Sequence, residues 1–297
     1  MAKVIKCFEC YCTSVYDYGS DIWSFPSREG VSKIHLRAAR AFLGVPKNTT
    51  SVAILAEINW LEPVYRAQIR MVRQYFRVNG MNDERLTKKI LNWDKNFSRQ
   101  FPSISTWHSE VKQIFEIHNI LNYFEKEGKL PTLMMENLKQ SMLVKQTSDL
   151  QLKCNLMPKL RTFTKFMEYG KTPAYLLKPL SFVQKMFLAK TRLAALPLRL
   201  ETGQYKWPRL PKQDRLCPSC KSKQDVENKE HFVFFCNQYH FLRQKWLAEL
   251  EKPPNFFELI TDDKFKLIFN KPENVKITAQ YIVNCFDVRF KIIFQET

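Results

Sequence analysis

Four residues in the last third of the chain have the types and the spacing of metal ligands. Cys217, Cys220, His231 and Cys236 follow the pattern Cys-x₂-Cys-x₁₀-His-x₄-Cys. Two cysteines separated by two residues can hold one ion from a single tight turn, and Pro218 favours such a turn. Three thiolates and one imidazole complete a tetrahedral site and leave no position for water. The pattern therefore predicts a structural Zn²⁺ ion, not a catalytic one.

The alternative is that these four residues are unrelated members of a chain with eight cysteines. Residues 221–230, which separate the two pairs, are polar and offer no core for buried cysteines, so the zinc interpretation is favoured. His240 is an alternative ligand, but it lies farther into the next predicted helix. We interpret the remaining cysteines as apolar side chains, with Cys7, Cys10 and Cys12 on a buried helix and Cys154 and Cys285 in the core.

The chain is strongly basic. It holds 47 Lys and Arg against 29 Asp and Glu, a net charge of +18, and residues 139–245 contain 21 basic and 7 acidic residues. Such a charge favours polyanionic partners, nucleic acid before an anionic membrane surface. Only seven glycines occur, and neither a phosphate-binding loop nor a dinucleotide fingerprint is present. These features predict RNA or DNA as a partner.

Two groups of residues are candidate nucleic-acid contacts. One is a row of like charges at helical spacing on a predicted helix over residues 62–79: Arg66, Arg70, Arg73 and Arg77. The alternative for this row is a solvated face relieved by Glu62. The second group comes from a stretch in which cations alternate with rings, the combination that holds single strands. Its members are Lys190, Arg192, Arg199, Tyr205, Lys206, Trp207 and Arg209.

No catalytic constellation is found. Asp262 and Asp263 are similar to the aspartate pair of polymerases, but two-metal chemistry needs a further carboxylate on an adjacent strand. The surrounding sequence is helical, so a pair that opens a helix is the better interpretation. We therefore expect no enzymatic activity from this chain alone.

Apolar periodicity predicts a mainly α fold. Helices are expected over about 29–44, 62–79, 83–100, 104–127, 131–150 and 181–195, up to Leu250, and from Glu273. In the first, Val31, Ile34, Ala38, Ala41 and Phe42 define the apolar face, and Gly44 is the stop. No apolar run is long enough to span a membrane and no secretory signal is seen, which predicts a reducing intracellular compartment, nuclear or cytoplasmic.

Several segments carry a family resemblance. Residues 18–23 read Tyr-Gly-Ser-Asp-Ile-Trp, and residues 34–49 run from Ile-His-Leu to Phe-Leu-Gly-Val-Pro-Lys-Asn-Thr. Residues 196–198 read Leu-Pro-Leu and residues 201–205 read Glu-Thr-Gly-Gln-Tyr, ahead of the Cys/His pattern. In this order they resemble the C-terminal region of LINE-type (non-LTR) retrotransposon reverse transcriptases. Ala38 departs from the resemblance, since the family tends to have an aromatic residue there.

The resemblance covers about half of the chain and implies three parts. These are a helical thumb-like bundle at 1–155, a basic irregular segment with a small CCHC zinc knuckle at 156–250, and C-terminal helices at 251–297. It implies a piece that grips template RNA or target DNA without the palm or endonuclease. A non-catalytic scaffold or protein-interaction protein of retroelement origin is the alternative. Polymerase activity would require a palm supplied by another chain.

Overall fold

The computed structural model describes residues 8–23, 29–124, 126, 131–203, 207–220 and 225–295. This part of the chain is mainly helical and contains no β-strand. The α-helices of eight residues or more are α1 (Glu29–Leu43), α2 (Ser51–Ile58), α3 (Pro63–Asn79), α4 (Leu86–Gln100), α5 (Trp107–Ile117), α6 (Thr132–Asn155), α7 (Phe182–Arg192), α8 (His240–Glu249), α9 (Thr261–Asn270) and α10 (Pro272–Gln295).

Shorter helical segments connect the long helices. The α-helical ones are Ser14–Asp17, Ser20–Trp23, Phe163–Phe166, Ala174–Leu177 and Arg199–Thr202. The 3₁₀ segments are Leu121–Tyr123, Pro158–Leu160, Lys212–Asp214 and Asn237–Tyr239, and two π-helical segments are Phe8–Thr13 and His231–Phe235. The chain between α6 and α8 is thus built from short pieces apart from α7, as its seven prolines predict.

The chain forms two compact units. Unit 1 contains residues 38–59 and 150–295, and unit 2 contains residues 8–37 and 60–149. The predicted domains, divided at 155/156 and 250/251, are each one continuous stretch of the chain. Unit 1 instead groups α2 with residues more than 90 positions later. Within unit 1, Glu57 in α2 forms an ion pair with Arg192 in α7, whose Nε lies 2.6 Å from the carboxylate.

Unit 2 is held by an aromatic core between α3 and α5. The Tyr75 ring stacks on Phe124 with centroids 5.0 Å apart and meets Phe115 edge-on at 5.9 Å. Val72, Val111 and the methionines of α6 complete this fully buried cluster. Burial of several large side chains from helices distant in sequence gives the unit a core of its own.

Unit 1 is organised around α10, which packs against α7, α8 and α9. The Trp246 ring of α8 stacks on Tyr281 of α10 at 4.4 Å, and the Tyr281 hydroxyl donates to the Val233 carbonyl. Phe265 and Phe269 of α9 stack on each other at 5.6 Å and are buried. The last two long helices therefore form the frame on which the Cys/His region rests.

Helix ends agree with the sequence in some places and differ in others. Gly44 ends α1 as predicted, at a φ of 64°, and the amide of Val45 donates to the Arg40 carbonyl. Helix α5 ends much earlier than residue 127, because Asn119 adopts a φ of 55° and Ile120 bonds back to Phe115 in the same way. Both helix ends are Schellman motifs, but only a glycine at this position is a clear sequence signal for one.

The buried face of α1 and the burial of the cysteines outside the cluster can be compared with the sequence predictions. The buried side of α1 runs through His35, Ala39, Phe42 and Leu43, whereas Ile34 and Ala41 are exposed, so the predicted face was wrong by about one position. Cys10 and Cys12 are exposed, which corrects their interpretation as buried, and Cys7 lies outside the described residues. Cys154 and Cys285 are fully buried, as predicted.

Asp262 and Asp263 occupy the first turn of α9, as predicted for a pair that opens a helix. The Asp262 carboxylate lies 2.6 Å from the Lys165 ammonium. Negative side chains are favoured near a helix N-terminus, where the backbone N–H groups point outwards.

Candidate metal centre

Cys217, Cys220, His231 and Cys236 come together in the structure. One ligand atom from each lies within 4.8 Å of the other three, and all four residues are buried. The Cys220 sulfur is 3.1 Å from His231 Nε2 and 3.3 Å from the Cys236 sulfur, and the Cys217 and Cys236 sulfurs are 4.0 Å apart. The four residues that the spacing selected are thus buried and close together, an arrangement compatible with a metal site.

The first two ligands lie at the end of a short antiparallel contact. Leu216 pairs with Val226, the Cys217 amide donates to the Asp225 carbonyl at 2.8 Å, and the Glu227 amide donates to Arg215 at 2.9 Å. This bridge brings the segment before Cys217 beside the segment that leads to His231. Cys217 is therefore fixed by the backbone before any ion is considered.

The other two ligands are set by the π-helical turn His231–Phe235. Asn228 begins this turn, since its side-chain oxygen accepts from the His231 amide at 2.7 Å. The Cys236 amide donates to the His231 carbonyl at 2.7 Å, which closes the wider turn. A separation of five residues then places both side chains on the same side of the chain.

Both nitrogens of the His231 ring lie near other polar groups. Nε2 is 3.1 Å from the Cys220 sulfur, and Nδ1 is 3.8 Å from the Asp225 carboxylate. The second distance is longer than a hydrogen bond, and the Asp225 side chain is largely exposed, so this carboxylate does not fix the ring.

Among the thiols, the hydrogen bond with Cys236 lowers the pKa of Cys217, although burial opposes the shift. The same hydrogen bond, followed by burial, raises the pKa of Cys236, and burial raises that of Cys220. The buried cluster thus accommodates negative charge on Cys217 and opposes it on the other two thiols. A cation at the centre would favour the thiolate at all three, because a coordinated thiol loses its proton.

Glu227 connects the cluster to α10, a role that the sequence analysis did not predict. Its fully buried carboxylate accepts from Arg289 Nε at 2.7 Å and Nη2 at 2.9 Å, and from the Arg199 amide at 2.6 Å. The Arg289 guanidinium also donates to the Pro197 carbonyl. A buried bidentate pair of this kind fixes the segment between the ligand pairs against the last helix. The one sequence signal was an acidic residue in a basic region.

The predicted arginine row of α3 divides into two pairs. Arg66 and Arg70 lie 2.5 and 3.3 Å from the buried carboxylate of Asp17. Arg73 and Arg77 are exposed. Half of the row therefore holds the segment Ser14–Asp17 on α3, and the other half faces solvent.

The second candidate group is not uniform either. The prediction for Arg192 is corrected, because its side chain is 1% exposed and paired with Glu57. Lys190 is half-buried with its ammonium over the Phe187 ring, Arg199 is half-buried, and Arg209 is exposed. Trp207 is 97% exposed. Tyr205 and Lys206 lie outside the described residues.

His240, the alternative ligand, is exposed at the start of α8 and is not part of the cluster. Across the described residues, no helix combines the length and the apolar character needed to cross a membrane. Comparison with known proteins gives no match: no protein-family model, curated protein or solved structure matches this chain.

Proposed function

We propose that Cys217, Cys220, His231 and Cys236 bind one structural Zn²⁺ ion. Three thiolates and an imidazole are a donor set typical of Zn²⁺. Zinc–sulfur bonds of about 2.3 Å put tetrahedral sulfur ligands about 3.8 Å apart. The sulfur pairs here are separated by 3.3 and 4.0 Å, so a small shift suffices to admit the ion. All four positions are protein donors, which favours a stabilising role.

We further propose that the chain is a zinc-stabilised nucleic-acid-binding segment without its own polymerase or endonuclease centre. It is similar in this respect to the thumb and zinc-knuckle part of LINE-type reverse transcriptases. The observation that carries the proposal is the buried Cys₃His cluster in a chain of net charge +18. Such a net charge attracts the phosphate backbone whatever its sequence.

The contact residues supported by their exposure are Arg73, Arg77, Arg209 and Trp207, with the half-buried Lys190 and Arg199. An exposed indole beside a cation is suited to stacking on an unpaired base. The segment that carries Trp207 and Arg209 is tied to the metal centre by Arg215, two residues before Cys217. Its Nε donates to the Leu210 carbonyl at 3.0 Å and its Nη1 to that of Leu200 at 2.6 Å.

Metal analysis of the purified chain tests the zinc proposal. We expect one zinc per wild-type chain and loss of it in Cys217→Ser, since three ligands hold the ion less tightly. Cys12→Ser is the matched control, because Cys12 is exposed and outside the cluster. The proposal is contradicted if the purified wild-type protein contains no zinc, or if the Cys217→Ser variant keeps its full zinc content.

Binding to labelled single-stranded RNA and DNA tests the nucleic-acid proposal. We expect sequence-tolerant binding that weakens steeply with salt, and weaker binding for Trp207→Ala and Arg209→Glu. Lys276→Glu is a charge control, since Lys276 is an exposed cation of α10. The proposal is contradicted if the chain does not bind RNA or DNA at low salt, or if its binding does not depend on salt. Primer extension should show nothing, and synthesis that depends on Asp262 would overturn the non-catalytic assignment.

The second candidate is a protein-interaction role, favoured by an exposed apolar row on α4. Leu86, Ile90 and Trp93 are 72%, 55% and 62% exposed and are spaced as one helical face. Such rows are common at protein contacts. If Trp93→Glu abolishes partner binding while charge reversal at Arg66, Arg70, Arg73 and Arg77 does not, this role replaces the first.

A further inference from the structure

A cavity of about 220 Å³ lies within unit 1. Its apolar wall is formed by Leu196, Leu198 and Leu200. Five basic residues line it, namely Lys159, Arg161, Lys212, Arg215 and Lys229, together with the carboxylates Glu201 and Glu230. Burial lowers the pKa of Lys229 to about 7, so the other four are its permanent cations. A concave site with an apolar wall and a few convergent charged groups is the usual form of a small-ligand site.

The cations exceed what the carboxylates of the cavity require. Glu201 is partly buried, with its carboxylate 3.8 Å from the Lys159 ammonium. Burial raises the pKa of Glu201, and four of the cavity's basic residues oppose that shift. Arg161 and Lys212 are exposed, and neither side chain makes a hydrogen bond or an ion pair with any described residue. Two cations are therefore available to an anion at the mouth of the cavity.

Arg215 is held in place before any ligand binds. Its Nε and Nη1 donate to the carbonyls of Leu210 and Leu200, which leaves Nη2 without a partner among the described residues. Its stem passes so close to Gly203 that a Cβ there would lie 2.8 Å from Arg215 Cγ. A guanidinium fixed by backbone carbonyls loses little freedom when it binds, so its three remaining N–H donors can bind an anion at little entropic cost.

We propose that this cavity binds a single nucleotide, either free or as the unpaired end of a strand. The phosphate lies between Arg161 and Lys212, the sugar and base contact the leucine wall, and the Glu201 carboxylate accepts a hydrogen bond from the base. Arginine and lysine are the usual phosphate ligands. A carboxylate selects bases with an exocyclic amine, as glutamate does with cytosine. The inference rests on the proposed nucleic-acid function and names a site for it.

Calorimetric titration of the full zinc-loaded chain tests this proposal with nucleoside 5′-monophosphates, the matching nucleosides and inorganic phosphate. We expect monophosphates to bind at least ten times more tightly than nucleosides, with uridine monophosphate the weakest because uracil lacks an exocyclic amine. The double variant Arg161→Glu, Lys212→Glu should lose at least tenfold in affinity. Glu201→Gln should keep phosphate binding and lose the preference among bases.

Lys178→Glu is the matched control, since Lys178 is exposed, lies in unit 1 and does not line the cavity. The proposal is overturned if nucleosides bind as tightly as monophosphates, or if the double variant binds like the control. Oligonucleotides with a 5′-phosphate or a 5′-hydroxyl, used as competitors, distinguish a strand end from a free nucleotide. If the chain binds strands and no mononucleotide competes, the cavity site is contradicted and the proposed nucleic-acid function is not. If it binds mononucleotides but no strands, the nucleic-acid function is contradicted and the cavity site is not.

Discussion

The Glu57 carboxylate and the Arg192 guanidinium are the most deeply buried ion pair of unit 1. Arg192 Nε and Nη2 donate to the two carboxylate oxygens at 2.6 and 3.3 Å, and Nη1 donates to Asn270 at 3.2 Å. The guanidinium also lies over the Phe166 ring at 4.9 Å. Desolvation of two charges makes such a pair a weak source of stability when intact, yet removal of one partner leaves an uncompensated charge.

Replacement of Glu57 by glutamine should therefore be strongly destabilising. We expect a loss of about 3–5 kcal/mol in the free energy of unfolding, measured in urea, because Arg192 would stay buried without its counter-charge. Glu84→Gln is the control, since the Glu84–Lys89 pair is exposed and should cost little. Equal losses for the two variants would show that Arg192 reaches water or another partner.

His35 is a buried histidine without a hydrogen bond. Its side chain is 2% exposed, neither ring nitrogen has a partner among the described residues, and the ring meets Trp60 edge-on at 5.3 Å. Burial, with the nearby Arg66 charge, lowers the pKa of His35 from 6.5 to about 4, and the Asp17 carboxylate opposes this shift. The folded protein therefore keeps the ring neutral at a pH where the unfolded chain protonates it.

The consequence is a loss of stability in acid that belongs to His35. Between pH 6.5 and about 4 the unfolded chain binds the proton more tightly, so its uptake favours unfolding as the pH falls. We expect up to about 3 kcal/mol of this loss to disappear in His35→Phe, from urea unfolding at several pH values. The difference between wild type and variant isolates this residue from the metal ligands. A difference that does not change with pH would contradict the assigned pKa.

At the scale of the element, Gly44 both stops α1 and allows α7 to approach. Its φ is 64°, and a Cβ at this position would lie 2.6 Å from Met186 Cγ. A left-handed conformation costs a residue with a side chain roughly 1–2 kcal/mol. The nearest atoms are Cγ and Cβ of Met186, which lie next to its backbone and can move little, so the contact adds to the cost of the conformation.

Gly44→Ala should accordingly destabilise the protein in urea unfolding by more than the roughly 1–2 kcal/mol that the left-handed conformation alone costs. Gly30→Ala in the same helix is the matched control, because a Cβ there meets nothing within 4 Å. Alanine is the better helix former, so the control should be neutral or slightly stabilising. Addition of Met186→Ala to Gly44→Ala removes Cγ and should recover the part of the cost that comes from this contact. No recovery would show that the backbone conformation alone sets the cost.

Many helices could be predicted from the sequence, and the reasons for the misses are local. Helices α3 and α7 follow their apolar periodicity, and Ser181 and Gln184 form the reciprocal hydrogen bonds that begin α7. The end of α5 was missed because Asn119 enters the left-handed region less often than glycine does. The apolar face of α1 was misplaced because its period leaves neighbouring positions equivalent until the partners are known.

The residues of the Cys/His cluster were predictable for a different reason. Cys-x₂-Cys and His-x₄-Cys constrain two local turns, and each turn forms within a few residues. Glu227 and Arg289 were not predictable, since 62 residues separate them and nothing in either local sequence indicates the other. The burial of Arg192 had the same cause: its partner Glu57 precedes it by 135 residues. The sequence analysis placed Arg192 on the surface because it considered only its charge.

At the scale of the whole molecule, stability and the metal centre are distributed unevenly over the two units. The Cys/His cluster and its supports, Glu227 and Arg289, lie in unit 1, whereas the Tyr75 core lies in unit 2 and contains none of the four ligands. Units with separate cores open with separate free energies. Removal of a bound metal should thus increase local opening first in unit 1, around the Cys/His cluster.

Hydrogen exchange measures this response directly. On treatment with a chelator under reducing conditions, we expect fast exchange at the amides of Cys217, Glu227 and Cys236, whose hydrogen bonds hold the two ligand turns together. Amides of α3 and α5 around Val72 and Phe115 should keep their protection. Cys217→Ser should reproduce the pattern without chelator, and chelator should then change nothing more. Equal loss of protection in α5 would show that the ion stabilises the chain as one cooperative unit, because the two cores would then open together.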